Sequence, residues 1–324
     1  MVDLNSDLGE GFGVWRLGDD DALLTIVTSA NVACGFHAGD PSTMRRVSAR
    51  AAAEGVRVGA QVSYRDLAGF GRRRIDVPAD ELADELRYQI GALAAFGPVA
   101  YVKPHGALYN TAATDETHAS AVVSAAAAFP SPADLSLLAT AAAGAGASTA
   151  AGAAGVGGRP SPADSPNPAD PSSPLGGDPA GHADPAGQRG ERTAWAATGL
   201  GGASPASPAG LPVLCQPGSV LARLAVERGL RVVAEGFVDR AYLPDGRLVP
   251  RSSRGALVTD VGQVVVRAVR MALEGVVQAV DGTLIPMPVE SLCVHGDTPG
   301  AVDMARAVRD GLLVAGVAVE PFVA

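Results

Sequence analysis

Pro98-Val99-Ala100-Tyr101-Val102-Lys103-Pro104-His105-Gly106 is the stretch on which the reading of this chain turns. Residues 98–102 form a short apolar run and read as a buried strand. The run ends abruptly in a cation, an imidazole and a glycine. Packing gives no reason to put Lys103 and His105 at the mouth of a strand, whereas a site for chemistry does. The same order recurs along the chain: an apolar run, then Asp, Glu, His or Lys, then Gly. Strand candidates lie at 2–5, 30–34, 56–60, 99–102, 211–215, 231–234 and 291–294.

Helical patterns separate them. Residues 41–54 open with Asp40 as N-cap and Pro41 at the first helical position. Residues 78–96 carry Leu82, Leu86, Ile90 and Leu93 at helical spacing, and 219–228 (capped by Ser219) and 298–315 look similar. Strand, loop and helix repeated about seven times predict a parallel α/β fold. A closed, TIM-like barrel and an open doubly wound sheet both meet that order. Every strand contributes polar groups at its C-terminal end, which favours the barrel, because an open sheet would gather them at one switch point.

One segment breaks the pattern. From about 129 to 210 the chain is dominated by Ala, Pro, Gly, Ser and Asp, as in Ser161-Pro162-Ala163-Asp164-Ser165-Pro166. Few large aliphatic side chains are available there to offset an ordering cost of about 1–2 kcal/mol per residue. The expectation is a single barrel domain over 1–324, interrupted by a disordered low-complexity insertion, with Leu135-Ser136-Leu137-Leu138 as a packed stub and Trp195 as an isolated anchor or an exposed side chain. His182, inside the insertion, receives no role.

Bulk properties narrow the function. The 324 residues carry a formal net charge of −9, which argues against a nucleic-acid surface. The three cysteines, Cys34, Cys215 and Cys293, lie in or at the end of apolar runs and read as buried free thiols of a reducing compartment. The first residues have no basic-then-apolar leader, and no window approaches the roughly 18 apolar residues of a membrane span. A cytoplasmic protein is expected.

The candidate site is assembled from strand ends. Strand one gives Asp7 and Glu10, suited to metal ligation or acid–base work, although Asp7 could instead cap local amides in a turn. Strand two gives Asn31 and His37, the latter between Gly35 and Gly39, with Asp40 kept as a cap. After strand three, Arg72 and Arg73 suit a carboxylate or phosphate, with a solvated basic loop as the plain alternative. Strand four gives Lys103 and His105. Strand six gives Glu235, then Asp239 and Arg240 as a structural pair, with Arg251 returning after a turn. Strand seven ends in His295-Gly296-Asp297, where Asp297 serves equally as a helix cap. Phosphate-loop, dinucleotide, serine-elbow and Cys-x-x-Cys motifs are missing from the sequence. What remains suits hydrolysis of an amide or ester through an activated water, with or without a metal.

Residues 3–10, 29–40, 69–73, 103–110, 239–242 and 293–297, taken together and in that order, closely resemble the LamB/YcsF family. The resemblance spans the chain outside the insertion. It implies a seven-stranded β/α barrel of the glycoside hydrolase/deacetylase type. It also implies an A subunit that works with B and C subunits as an ATP-dependent 5-oxoprolinase, converting 5-oxo-L-proline, ATP and water to L-glutamate, ADP and phosphate. ATP with Mg2+ is then the expected cofactor. Some relatives place His-Pro where this chain has Gln61-Val62, and glutamine is a poor metal ligand. On this reading Lys103 and Arg72 or Arg73 hold anionic oxygens, and His105, His37 or Glu235 handle protons. Asp7, Glu10, Asn31, Asp239, Arg240 and Arg251 contact substrate, and a further divalent metal would draw on Asp7, His37, His295 and Asp297. Two alternatives stand beside it: a stand-alone metal-dependent deacetylase-like hydrolase, and a non-catalytic subunit that binds substrate and scaffolds its partners.

Overall fold

The computed structural model describes residues 1–131 and 210–323. The core of the expected insertion, with the 135–138 stub, His182 and Trp195, lies outside the described residues. In chain order the first half comprises β1 (Asp3–Leu8), α1 (Asp20–Leu23), β2 (Ser29–Ala33), α2 (Pro41–Glu54), β3 (Arg57–Val62), α3 (Ala79–Ala94), β4 (Tyr101–Pro104), α4 (Gly106–Ala112) and α5 (Glu116–Ala126). The second half comprises β5 (Val213–Cys215), α6 (Val220–Glu227), β6 (Val232–Phe237), α7 (Val261–Glu274), the hairpin β7 (Val276–Gln278) and β8 (Leu284–Pro286), β9 (Ser291–Val294) and α8 (Ala301–Val314). Seven parallel strands close into a barrel in the order β1-β2-β3-β4-β5-β6-β9. Closure across the 129–210 stretch is made by the pairing of Val102 with Val213.

Strand alternation splits each strand between two environments. One set of positions packs under the helices: Leu4, Leu8, Ala30, Val32, Ala60, Val62, Val102, Leu292 and Val294 all belong to the main apolar cluster. The alternate set points into the barrel and is largely polar: Asp3, Asn5 and Asp7 on β1, Ser29 and Asn31 on β2, Gln61 on β3, Lys103 on β4, Glu235 on β6 and Ser291 on β9. The strands therefore run further than the apolar runs suggest. β1 continues to Leu8 and β6 to Phe237, because a charged residue is accommodated wherever alternation turns it inward onto a partner.

Helix caps follow the sequence. Asp40 accepts from the Thr43 amide at 2.9 Å and Ser219 from the Ala222 amide at 3.1 Å. Helices α1, α4, α5 and α7 and the β7–β8 hairpin are additions to the expected elements. At the N-terminal end of the barrel, Tyr101, Leu214, Val233, Phe322 and Val323 form a separate apolar plug, with the Tyr101 and Phe322 rings 4.9 Å apart. That plug leaves the opposite end for ligand access.

Candidate active site

The deepest feature is a buried cation between two acids. Lys103 is 2% exposed, and its Nζ lies 2.9 Å from Asp7 Oδ1 and 2.7 Å from Glu235 Oε1. The first contact is a hydrogen bond, whereas the second is an ion pair outside hydrogen-bonding angles. Asn31 Nδ2 donates to Asp7 Oδ1 at 2.9 Å and to Asn5 Oδ1 at 2.7 Å, and the Tyr101 hydroxyl fixes Asn31 by donating to its Oδ1 at 2.7 Å. Burial alone would raise the Asp7 pKa, but the Lys103 ammonium, together with His295 and His105, outweighs it and holds the carboxylate below its usual range. Burial opposes the charge on Lys103 too, and Asp7 leads the groups that nonetheless raise its pKa. Glu235 differs: burial raises its pKa and Lys103 only partly offsets this. The Lys103 contact thus favours the ionised form of Asp7, and burial favours the protonated form of Glu235.

A second group lies around two imidazoles. The His37 and His105 rings stack with centroids 4.1 Å apart and planes 17° apart. Burial pushes His37 down to about 4 and lowers His105 well below the usual histidine value, so both are neutral at pH 7. Gln61 Nε2 donates to Glu10 Oε1 at 3.2 Å, and Gln61 Oε1 is 3.2 Å from His37 Nε2. The loop after β3 closes over this pair. Gly71, at φ 65°, is forced there, because a β-carbon would stand 2.4 Å from Ser63 Oγ and 2.9 Å from His37 Cβ. Its neighbour Phe70 takes φ 55°, uncommon for an aromatic residue, and sets its ring edge-on to both imidazoles.

The rim is cationic. Arg72 and Arg251 share Asp297, at 2.6 and 2.7 Å. Arg240 is buried, and its guanidinium donates to the carbonyls of Val249 (2.7 Å) and Ala256 (3.3 Å). The expected Asp239–Arg240 pair is therefore corrected. Asp239 instead bonds His295 Nδ1 at 2.9 Å, and the His295 ring stacks on Phe237 at 5.3 Å. Burial would raise the Asp239 pKa, but the contacts with His295 and the nearby Arg240 guanidinium together lower it. Asp297 does not cap the last helix, which starts from Gly300 without a side-chain cap. Nor does Asp7 cap a turn, since it sits inside β1. Arg73 departs as well: its side chain is 65% exposed and pairs with Asp66, leaving Arg72 as the arginine of this loop at the site.

A cavity of about 570 Å³ opens over these groups, lined by Asp7, Arg72, Lys103, His105, Arg240, Arg251 and His295, together with Tyr109 and Phe237. Glu10, His37, Asn31, Glu235 and Asp239 are buried among these groups. The residues expected to hold a metal do not assemble as a set: Asp7 is on Lys103, His295 on Asp239, and Asp297 on two arginines. Sequence reading weighed Gln61 only as a poor metal ligand, and missed Phe70, Tyr101, Tyr109 and Phe237. Inward alternation from Lys103 would have found Tyr101, whereas Phe70 had no signal beyond its flanking glycines.

With this geometry the chain can be set beside known proteins. It matches the LamB/YcsF family over residues 2–158 and 194–324. The chain belongs to that family. The unmatched residues, 159–193, fall within the low-complexity stretch. Among family relatives, the A subunit of 5-oxoprolinase from Streptomyces coelicolor is 49% identical, with 99% of this chain and 100% of that protein covered. The corresponding A subunit from Mycobacterium avium is 48% identical, with 99% and 98% covered. In three dimensions the chain is similar to the lactam utilization protein of Thermus thermophilus, at 35% identity and TM-score 0.69 over 99% of both chains. No helix among the described residues is long and apolar enough to cross a membrane.

Proposed function

We propose that this chain is the A subunit of an ATP-dependent 5-oxoprolinase and supplies the site where the lactam ring of 5-oxo-L-proline is opened. The observation that carries the reading is Lys103, a buried ammonium held between Asp7 and Glu235 and lining a cavity rimmed by Arg72, Arg240 and Arg251. This suits a small, anionic amide. A guanidinium takes the ring carboxylate, and the ammonium faces the lactam oxygen, where negative charge develops.

A lactam carbonyl is a poor electrophile. Transfer of the ATP γ-phosphoryl group to the lactam oxygen makes the ring carbon attackable. Water adds to that carbon, a neutral imidazole such as His105 accepts its proton, and the C–N bond breaks as Glu235 protonates the ring nitrogen. A second water then releases phosphate from the acyl phosphate, leaving L-glutamate. The arginines of the rim fit the phosphoryl oxygens. This sequence has no glycine-rich phosphate loop, so the nucleotide with its Mg2+ reaches the lactam either from a partner subunit or on a site built from backbone and the arginines of this rim.

The test is ATP-dependent formation of glutamate from 5-oxoproline by this chain together with B and C subunits. Lys103→Ala and His105→Ala are each expected to abolish turnover while leaving ATP binding by the assembled complex intact. Near-normal rates in both variants would return the chain to a scaffolding role. Turnover by the chain alone without ATP would favour a stand-alone amide hydrolase.

A further inference from the structure

Glu10, His37 and His105 come from the ends of three different strands yet converge. One donor atom from each lies within 4.8 Å of the other two, and all three residues are buried. The Glu10 Oε1 to His105 Nε2 separation is 3.6 Å, too long for a hydrogen bond. It is close to the roughly 3.3 Å between neighbouring donors around a tetrahedral ion with bonds of about 2.0–2.1 Å. We propose that these three side chains hold a divalent first-row transition-metal ion of the zinc or cobalt class.

Three observations support the assignment. First, the donor set is two imidazoles and a carboxylate, which suits borderline ions rather than Mg2+ or Ca2+. Second, the cluster contains a buried acid with no fixed cation of its own. Among the described residues the one ion-pair partner of Glu10 is His105, at 3.6 Å. A buried carboxyl group with no fixed cation beside it is a ready ligand, because a bound cation offsets the cost of its ionised form. Third, Nδ1 of His37 is buried without a hydrogen-bond partner and so is free for a ligand, while His105 turns Nε2 towards Glu10 and keeps its own unpartnered Nδ1 on the side of Gly71. Gln61 bonds Glu10 and lies against His37, so it orients two of the three ligands whether or not it touches the ion.

The site differs from the set expected from sequence, of which it keeps only His37. It also stands apart from the reaction proposed above, since binding needs neither lactam, ATP nor a partner. Within that reaction, a metal here would lower the pKa of a bound water to about 7 and so supply the nucleophile in place of His105 acting as base.

The experiment is a titration of the untagged, chelator-stripped full-length chain with Zn2+ by calorimetry, and with Co2+ by its visible absorption bands. One equivalent is expected to bind with a rise in Tm. Glu10→Gln, His37→Gln and His105→Gln should each weaken binding by about 100-fold or more, beyond the roughly 10–100-fold typical of losing an outer partner. His118→Gln, whose ring bonds Tyr64 outside the cavity, should leave binding unchanged. The chain's circular dichroism spectrum shows whether each variant is folded. Absence of saturable binding overturns the proposal, as does binding that survives all three substitutions. Metal binding without oxoprolinase turnover in the assembled complex would overturn the functional reading and leave this one standing.

Discussion

Lys103→Met isolates the buried charge network. Methionine keeps most of the side-chain volume and deletes the ammonium, so Asp7 and Glu235, 4% and 0% exposed, face each other without a cation. Removing one partner of a buried ion pair costs about 3–5 kcal/mol. Glu235, already raised by burial, takes up a proton in the variant and relieves the mutual repulsion, so Asp7 bears most of that cost. At roughly 2–4 °C per kcal/mol for a domain of this size, Tm should fall by about 6–20 °C near pH 7.5. The pH dependence has a definite sign. In the wild type the folded pKa of Asp7 is depressed, so its contribution is full above the ordinary carboxylate range and is lost as pH falls through the folded value. In the variant burial raises the same carboxyl, and acid neutralises it. The gap between the two proteins should therefore be widest above about pH 6 and narrow towards pH 4. Urea unfolding at pH 7.5 and pH 4.5 measures both quantities. Adding Asp7→Asn to Lys103→Met should recover at least about 1.5 kcal/mol at pH 7.5, because it removes the stranded charge. A loss below about 1 kcal/mol, or one equal at both pH values, refutes the reasoning.

Two further outcomes follow from the barrel interior. Asp3 is raised from 3.8 to about 6 by burial, despite hydrogen bonds from Ser291, Thr28 and Ser29, so its contribution to stability is full below about pH 4 and is lost as pH rises to 6. At about 1.4 kcal/mol per pKa unit, Asp3→Asn should flatten the stability profile over that window by up to roughly 3 kcal/mol relative to wild type, and parallel profiles would count against it. Gly59 lies under the Tyr101 ring, where an added β-carbon would meet Cε2 at 2.1 Å. Gly59→Ala should cost at least about 2 kcal/mol in thermal unfolding, less so in a Tyr101→Leu background, and a cost below about 0.5 kcal/mol in the wild-type background would show that the ring moves freely.

Much of this was legible in the chain. The strand–helix order, the caps at Asp40 and Ser219, and the placing of Lys103, His105, His37 and Glu235 near the site all rest on local signals: period, capping chemistry, and charge inside apolar runs. Helix α7 was missed because Val261 to Val269 is rich in β-branched residues and carries no strong helical propensity, although α7 buries Val264, Ala268 and Met271 on one face. The errors at the site were errors of pairing. Arg73 and Arg72 are sequence neighbours, yet one reaches Asp66 and the other Asp297. Asp239 ignores the adjacent Arg240 for His295, 56 positions away.

Sequence by itself determined which positions turn inward, because strand alternation is a local property of the backbone, and it carried the motifs that mark the family. The tertiary structure decided which inward groups meet. Lys103 touches Asp7 across 96 positions of chain only because the barrel closes. In that buried interior the energy of a charge depends on distance through space rather than along the chain. Closure is therefore what sets Asp7 and Glu235 against the Lys103 ammonium and gathers Glu10, His37 and His105 into a single cluster.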